Sequence, residues 1–332
     1  MSEETMTQTA DNGTWVTWRQ DIKVLDCSIR DGGLMNNHHF EDGFVRAVYD
    51  TCVAAGIDTM ELGYKSSKSQ YPPDEFGPWK HCDEETIRRV VGDNQTNLKL
   101  SVMADVGRTD YETDIIPADD SVIDMVRVAT YIHQIPGAIE IIQDAHDKGY
   151  ETTVNLMAVS SAHESDLDDA LEAVAQTPVG TIYLVDSFGA FYSEEIENLT
   201  RKYRAITEAT GKQLGIHTHN NQQLAYANTI EALVNGASYL DATIGGLGRG
   251  AGNCPLELLL AFLKNPAYRL RPVLECLEDH IAPLRQQIEW GYDLAYLITG
   301  MLNQHPREAM RFMEAKERGS IVEFYDTVME QV

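Results

Sequence analysis

Gln213-Leu214-Gly215-Ile216-His217-Thr218-His219-Asn220 is a short apolar run that ends in two histidines, and from Gln222 onward the pattern turns helical. Side chains two apart on a strand share a face, so His217 and His219 can hold one metal ion between them. An apolar strand that ends in ligands and passes into a helix is the unit from which α/β enzymes build sites, at the C-terminal ends of their strands. The segment therefore reads as a site rather than as core.

The same beat recurs on both sides of it. Strand-like runs at 23–29, 59–64, 98–104, 125–129, 152–159, 181–185, 214–219 and 239–244 alternate with helical patterns at 43–55, 84–91, 137–148, 167–176, 194–209, 223–234 and 255–263. Only the link after the third run is poorly patterned, being acidic over 110–120 and broken by Pro117. Eight consecutive strand-plus-helix units over about 240 residues predict a closed (β/α)8 TIM barrel over residues 21–265, because right-handed crossovers then bury every strand. Residues 1–20 are polar and without periodicity and are expected to form a flexible leader. Residues 266–332 carry mostly helical patterns, including 273–285 and 307–315, and are expected to form a helical C-terminal extension, a candidate homodimer surface.

Composition narrows the functional classes. A formal charge of -26, from 52 acidic and 26 basic residues, disfavours binding to nucleic acid or to anionic membranes and suits a high-salt cytosol. There is no apolar run of the roughly 18 residues needed to span a bilayer and no signal-peptide pattern near Met1, so a cytoplasmic protein is expected. The five cysteines are odd in number and form no CxxC pair, which argues for reduced thiols.

Three further segments carry chemistry. Leu25-Asp26-Cys27-Ser28-Ile29-Arg30-Asp31-Gly32-Gly33 places a cation beside a carboxylate at the expected end of strand one, as a catalytic pair or a structural salt bridge. On an ideal strand Arg30 and Asp31 point to opposite faces, so both reach the site only if the chain turns at Asp31, which the glycines allow. Asp31 with His217 and His219 makes three N/O ligands from neighbouring positions of a closed barrel, a set that favours Mn²⁺ or Mg²⁺ over a closed zinc site. After strand eight, Gly245-Gly246-Leu247-Gly248-Arg249-Gly250-Ala251-Gly252-Asn253-Cys254-Pro255 is a glycine loop that could cradle a phosphate, although the dinucleotide spacing is not met. Asn253 is a helix cap or a metal-site residue, and Cys254 a small buried residue. The loop 65–82 is long for a βα connection and reads as a lid, a substrate-binding loop or a surface insertion, with Lys65, Tyr71 and Trp79 as candidate substrate contacts.

Taken together and in this order, LDCSIRDGG, HTHN and GGLGRGAGNCPLE resemble the DRE-TIM metallolyase superfamily, which includes 4-hydroxy-2-oxoacid aldolases, hydroxymethylglutaryl-CoA lyases and isopropylmalate synthases. The resemblance covers about residues 22–265. It implies that Asp31, His217 and His219 bind the divalent metal, with Asn253 a fourth or supporting ligand, and that Arg30 stabilises an enolate. It also implies that Glu61 lies near the metal and that Asp186 and Ser187 match an acidic-hydroxyl pair at the end of strand six. One position departs from the pattern: the aldolases carry a base histidine three residues after the metal aspartate, where this chain has Leu34. His38, His39 and Tyr64 are then the candidates for moving the proton.

The expected function is a metal-dependent aldolase or lyase acting on a 2-oxo acid and an aldehyde or their adduct, with a dehydrogenase as a candidate partner for the product. An acyl-CoA condensing enzyme or acyl-CoA lyase is the enzymatic alternative. A partner-binding barrel without catalysis is the alternative from another class.

Overall fold

The computed structural model describes residues 19–330, so most of the expected leader lies outside the described residues. Eight parallel strands close on themselves in sequence order. They are β1 (Lys23–Asp26), β2 (Thr59–Tyr64), β3 (Lys99–Asp105), β4 (Met125–Tyr131), β5 (Glu151–Met157), β6 (Thr181–Asp186), β7 (Gln213–Thr218) and β8 (Tyr239–Ala242). Closure comes from β1 pairing with β8, from Lys23 opposite Tyr239 to Asp26 opposite Ala242. Strands such as β2 and β6 are buried along their whole length. This is why they read as near-continuous apolar runs: in a barrel wrapped by helices neither strand face meets water.

The helices of the eight units are α1 (Ser28–Gly32), α2 (Asp42–Ala55), α3 (Glu84–Val91), α4 (Tyr111–Asp114), α5 (Ile135–Asp147), α6 (Glu164–Ala175), α7 (Ser193–Thr210), α8 (Ala225–Val234) and α9 (Leu256–Leu263). The poorly patterned third link has become α4, a single turn with no buried residue. Acidic residues and Pro117 cannot supply an apolar stripe there, yet the count of eight strands holds.

Two local expectations change. The first strand was expected to run to Ile29, but it stops at Asp26, and the chain winds into α1 one residue later. Arg30 and Asp31 reach the site because they sit on a buried helical turn. Gly32 and Gly33 both have a φ of -60° and supply no turn. What Gly33 supplies is room: a Cβ there would fall 2.1 Å from His38 Nδ1.

The long loop after β2 is no free lid. Trp79 is fully buried and donates to the Phe40 carbonyl, His81 Nδ1 lies 2.9 Å from the Ser66 carbonyl, and Lys80 packs on the Tyr64 ring. Gly63 lets this loop press on the strand, since a Cβ at that position would fall 1.9 Å from the Trp79 carbonyl oxygen. Trp79 is thus spent on burial, while Tyr71 and Phe76 are half-buried.

Beyond Leu263 the chain continues in helices: α10 (Leu270–Cys276), α11 (Ala282–Leu284), α12 (Leu294–Met301), α13 (Arg307–Glu314) and α14 (Ile321–Met329). α10 packs on α2, where Arg269 N–H donates to the Ala55 carbonyl. The later helices share a small apolar cluster with the loop after β8, built on Ala251, Ala295, Tyr296 and Ala309. Asn221 and Asn303 donate side-chain hydrogen bonds to the Tyr296 and Ser160 carbonyls, which ties this unit to the loops at the C-terminal ends of the strands. Among the described residues no helix is long and apolar enough to cross a membrane.

Candidate active site

A cavity of about 220 Å³ opens at the C-terminal ends of the strands. At its base are Arg30 and Asp31 from α1 and His217 and His219 from the end of β7. His217 Nε2 lies 3.2 Å and His219 Nε2 3.6 Å from Asp31 Oδ2, and one ligand atom from each of the three residues falls within 4.8 Å of the others. Asn253 completes the group by donating to Asp31 Oδ2 at 2.8 Å. The glycine loop wraps this amide: a Cβ on Gly248 would fall 2.3 Å from Asn253 Nδ2.

These residues fit a divalent ion. Asp31 Oδ1, Asn253 Oδ1 and His217 Nε2 are buried with no hydrogen-bond partner, although burying an unsatisfied polar atom costs about 1–3 kcal/mol. The far nitrogen of each imidazole is held by an acceptor: His217 Nδ1 by Asp241 Oδ2 at 3.0 Å, and His219 Nδ1 by the Asp186 carbonyl at 2.9 Å. Each proton therefore sits on Nδ1, and each Nε2 lone pair is left for a metal. Burial pushes the His219 pKa down to about 3, which keeps that ring neutral. Burial opposes the charge on Asp31 as well, but the carboxyl, with the Arg30 guanidinium beside it, is held well below its usual range.

Below the ligands the charged side chains form a closed ring. Arg30 donates from Nε to Glu61 Oε2 at 2.7 Å, Arg127 donates to the same oxygen at 2.8 Å and to Asp241 Oδ2 at 2.6 Å, and Asp241 holds His217. Arg30 Nη1 lies 3.2 Å from Asp31 Oδ2 and closes the circuit. Arg127 also lies over the Tyr183 ring at 4.5 Å. With no water to solvate them, these charges are tolerable only because each meets an opposite one.

The remaining sequence candidates separate. Tyr64, at the end of β2, lines the cavity beside Leu34, and burial raises its phenol pKa, so the hydroxyl is a neutral donor. Ser187 also lines the cavity, while its Oγ accepts the Ala158 N–H. Asp186 stands behind His219, and burial pushes its pKa up to about 7. His38 is buried edge-on against Tyr64 with both ring nitrogens unpartnered, outside the cavity wall. His39 is exposed and lies against the Glu75 carbonyl. Lys65 donates to the Cys82 carbonyl, away from the cavity, and Tyr71 and Trp79 do not line it either. Cys254 is fully buried, and burial raises its thiol pKa to about 12.

Sequence reading missed Arg127 and Asp241, each visible only as a lone charge within an apolar strand run. It also missed Asp105, Arg108, Tyr131, Asn155, Phe188, His305 and Arg307 on the cavity wall, and gave no role to Arg249.

Known proteins resemble this chain in sequence and in fold. The chain is 32% identical over 249 residues to an oxaloacetate decarboxylase of Mycobacterium tuberculosis, covering 75% of this chain and 71% of the relative. It is 28% identical over 306 residues to a 4-hydroxy-2-oxovalerate aldolase of Bacillus cereus, covering 88% and 86%. Among solved structures, the N-terminal domain of a candidate aldolase from Bacteroides vulgatus superposes with a TM-score of 0.76 at 26% identity, over 94% of this chain and all of that one. The carboxyl transferase domain of Rhizobium etli pyruvate carboxylase shares the fold, with a TM-score of 0.66 at 15% identity over 90% of this chain and 55% of that one. Residues 21–275 match the HMGL-like family, and the chain belongs to it.

Proposed function

We propose that this protein is a divalent-metal-dependent carbon–carbon lyase that acts on a 2-oxo acid through a pyruvate-type enolate. The observation that carries the reading is the cluster of Asp31, His217 and His219 at the base of the cavity, with the Arg30 guanidinium 3.2 Å from the same carboxylate. The two relatives act, by their names, on oxaloacetate and on 4-hydroxy-2-oxovalerate, both of them 2-oxo acids.

Asp31, His217 and His219 would hold Mn²⁺ or Mg²⁺, with Asn253 beside them. Such an ion supplies Lewis acidity toward the carboxylate and keto oxygens of a 2-oxo acid. Arg30 is fixed by Glu61 and Asp31, so its other N–H groups are preorganised for the oxygen that becomes negative as the bond to C3 breaks. Tyr64 donates the proton to C3: it lines the cavity beside Leu34, which stands where the aldolases carry a histidine, and burial keeps its phenol protonated. Five buried free cysteines suit the reducing cytoplasm. The exposed apolar residues Tyr292, Leu294, Met301 and Val322 of the extension support a homodimer.

The test is proton exchange at C3 of pyruvate in D₂O, followed by NMR with Mg²⁺ present or chelated. Metal-dependent loss of the methyl signal is expected, and Tyr64→Phe should slow it about 100-fold or more while leaving metal affinity intact. Absence of exchange with pyruvate and with longer 2-oxo acids would sink the enolate reading.

A further inference from the structure

The chain has two acidic residues for every basic one, yet its cavity wall inverts that ratio, with Arg30, Arg108, Arg249 and Arg307 against Asp31 and Asp105. Arg30 and Asp31 belong to the metal end, and Asp105 is paired with Arg108 at 3.4 Å. Arg249 and Arg307 remain. Among the described residues neither has a carboxylate within ion-pair distance: Arg249 donates only to the Ser187 carbonyl, and its Nε is buried without a partner. Arg307 is exposed and Arg249 partly buried, so the cost falls on Arg249, whose charge stands in the wall without a carboxylate and whose Nε is an unsatisfied buried donor. That charge is retained most simply where a ligand brings the counter-charge.

His305 belongs to the same end. It stands edge-on to Phe188 at 5.6 Å, and its Nδ1 accepts the Arg307 backbone N–H at 3.1 Å, so a neutral ring carries its proton on Nε2 as a further donor. Burial, together with the charges of Arg249, Arg307 and Arg108, pushes its pKa down to about 4, which keeps the ring neutral among three guanidiniums. Arg249 is delivered by the loop after β8 and Arg307 by the start of α13, and the apolar cluster that joins that loop to the extension sets the two elements in register.

We infer that the substrate carries a second anionic group beyond its 2-oxo acid, a carboxylate or a phosphate, which Arg307 and His305 bind, with Arg249 standing between them and the metal ligands. This rests on the lyase reading above and names its substrate class. Cleavage breaks C3–C4. The C4 hydroxyl gives up its proton to bulk solvent and becomes the carbonyl of an anionic aldehyde, and the electron pair left at C3 takes up one proton from the Tyr64 hydroxyl, which solvent restores, to give pyruvate. No redox co-reactant is needed.

The experiment compares kcat/KM for pyruvate release from three adducts of pyruvate: with glyoxylate (distal carboxylate), with glycolaldehyde phosphate (distal phosphate) and with acetaldehyde (no distal charge). One of the two anionic adducts should lead the neutral one by at least about tenfold, as expected for a charge-assisted contact, and which one leads identifies the group. Arg307→Gln, at an exposed position that folding does not depend on, should collapse that ratio toward one, and Arg249→Gln should do the same. A neutral adduct that performs as well as the anionic ones, or variants that slow all three equally, would overturn the inference. C3 exchange of pyruvate in the same preparations separates the two failures: exchange without anionic preference removes the distal site and leaves the lyase reading standing, whereas neither exchange nor cleavage removes both.

Discussion

Asp241 shows how one carboxylate outside the ligand set can govern the site. A single oxygen, Oδ2, accepts from both His217 Nδ1 and Arg127 Nη2, and its partner Oδ1 is buried without a hydrogen bond. Burial opposes its charge, but Arg127 and His217 more than offset that and hold its pKa below the usual carboxylate range. Asp241→Asn keeps the shape while weakening the hold on the His217 tautomer. It should therefore raise the dissociation constant for Mn²⁺ by roughly 10–100-fold, the usual cost of losing an outer partner of a ligating histidine, read by titration calorimetry of metal-stripped protein. An unchanged constant would show that His217 is oriented without it. The histidine pair was legible in the sequence because two residues of one strand encode it. Asp241 and Arg127 were not, since they lie 114 residues apart and meet only when β4 and β8 face each other across a closed barrel.

At the scale of the element, the end of β1 is decided by a side chain that competes with the ladder. Asp26 accepts the Ser28 N–H at 3.1 Å and the Ser28 hydroxyl at 2.6 Å, and that hydroxyl accepts the Ile244 N–H at 2.8 Å. An aspartate bonded to the backbone two residues on turns the chain out of the strand and starts α1. Burial pushes the Asp26 pKa up to about 7, above its ordinary 3.8. The folded protein thus retains a proton that the unfolded chain releases between those values. The stability this group contributes is full below the unfolded value and is lost as the pH rises through about 7. Urea unfolding of the parent should weaken by on the order of 2–3 kcal/mol between pH 5 and 8 relative to Asp26→Asn, which stays neutral throughout. Parallel pH curves for the two proteins would rule this out. The long helices and the eight strands were legible because period and length repeat. The turn at Cys27 and the packed loop of 65–82 were not, because one depends on a single side-chain bond and the other on Trp79 finding a place that only the folded barrel provides.

For the whole molecule the governing quantity is the surplus of 26 negative charges. Added salt has two opposing effects. It weakens exposed ion pairs, such as Arg89 with Asp42 and Lys202 with Asp168, which solvent already screens and which contribute little. It also screens repulsion among carboxylates that have no partner. Even if every lysine and arginine were paired, half of the 52 acidic residues would be left without a counter-charge, so repulsion outweighs the pairs. The buried ring around Arg127 is sealed from ions and stays outside this balance. The urea midpoint should therefore rise with NaCl, most steeply below about 0.5 M, because the screening length falls from about 10 Å at 0.1 M to about 3 Å at 1 M and little repulsion survives beyond that. A rise confined to molar salt, matched by sucrose at equal osmolality, would instead mean exclusion of cosolute from the surface. A flat or falling midpoint would mean that the acidic surplus is spread too thinly for self-repulsion to limit the fold.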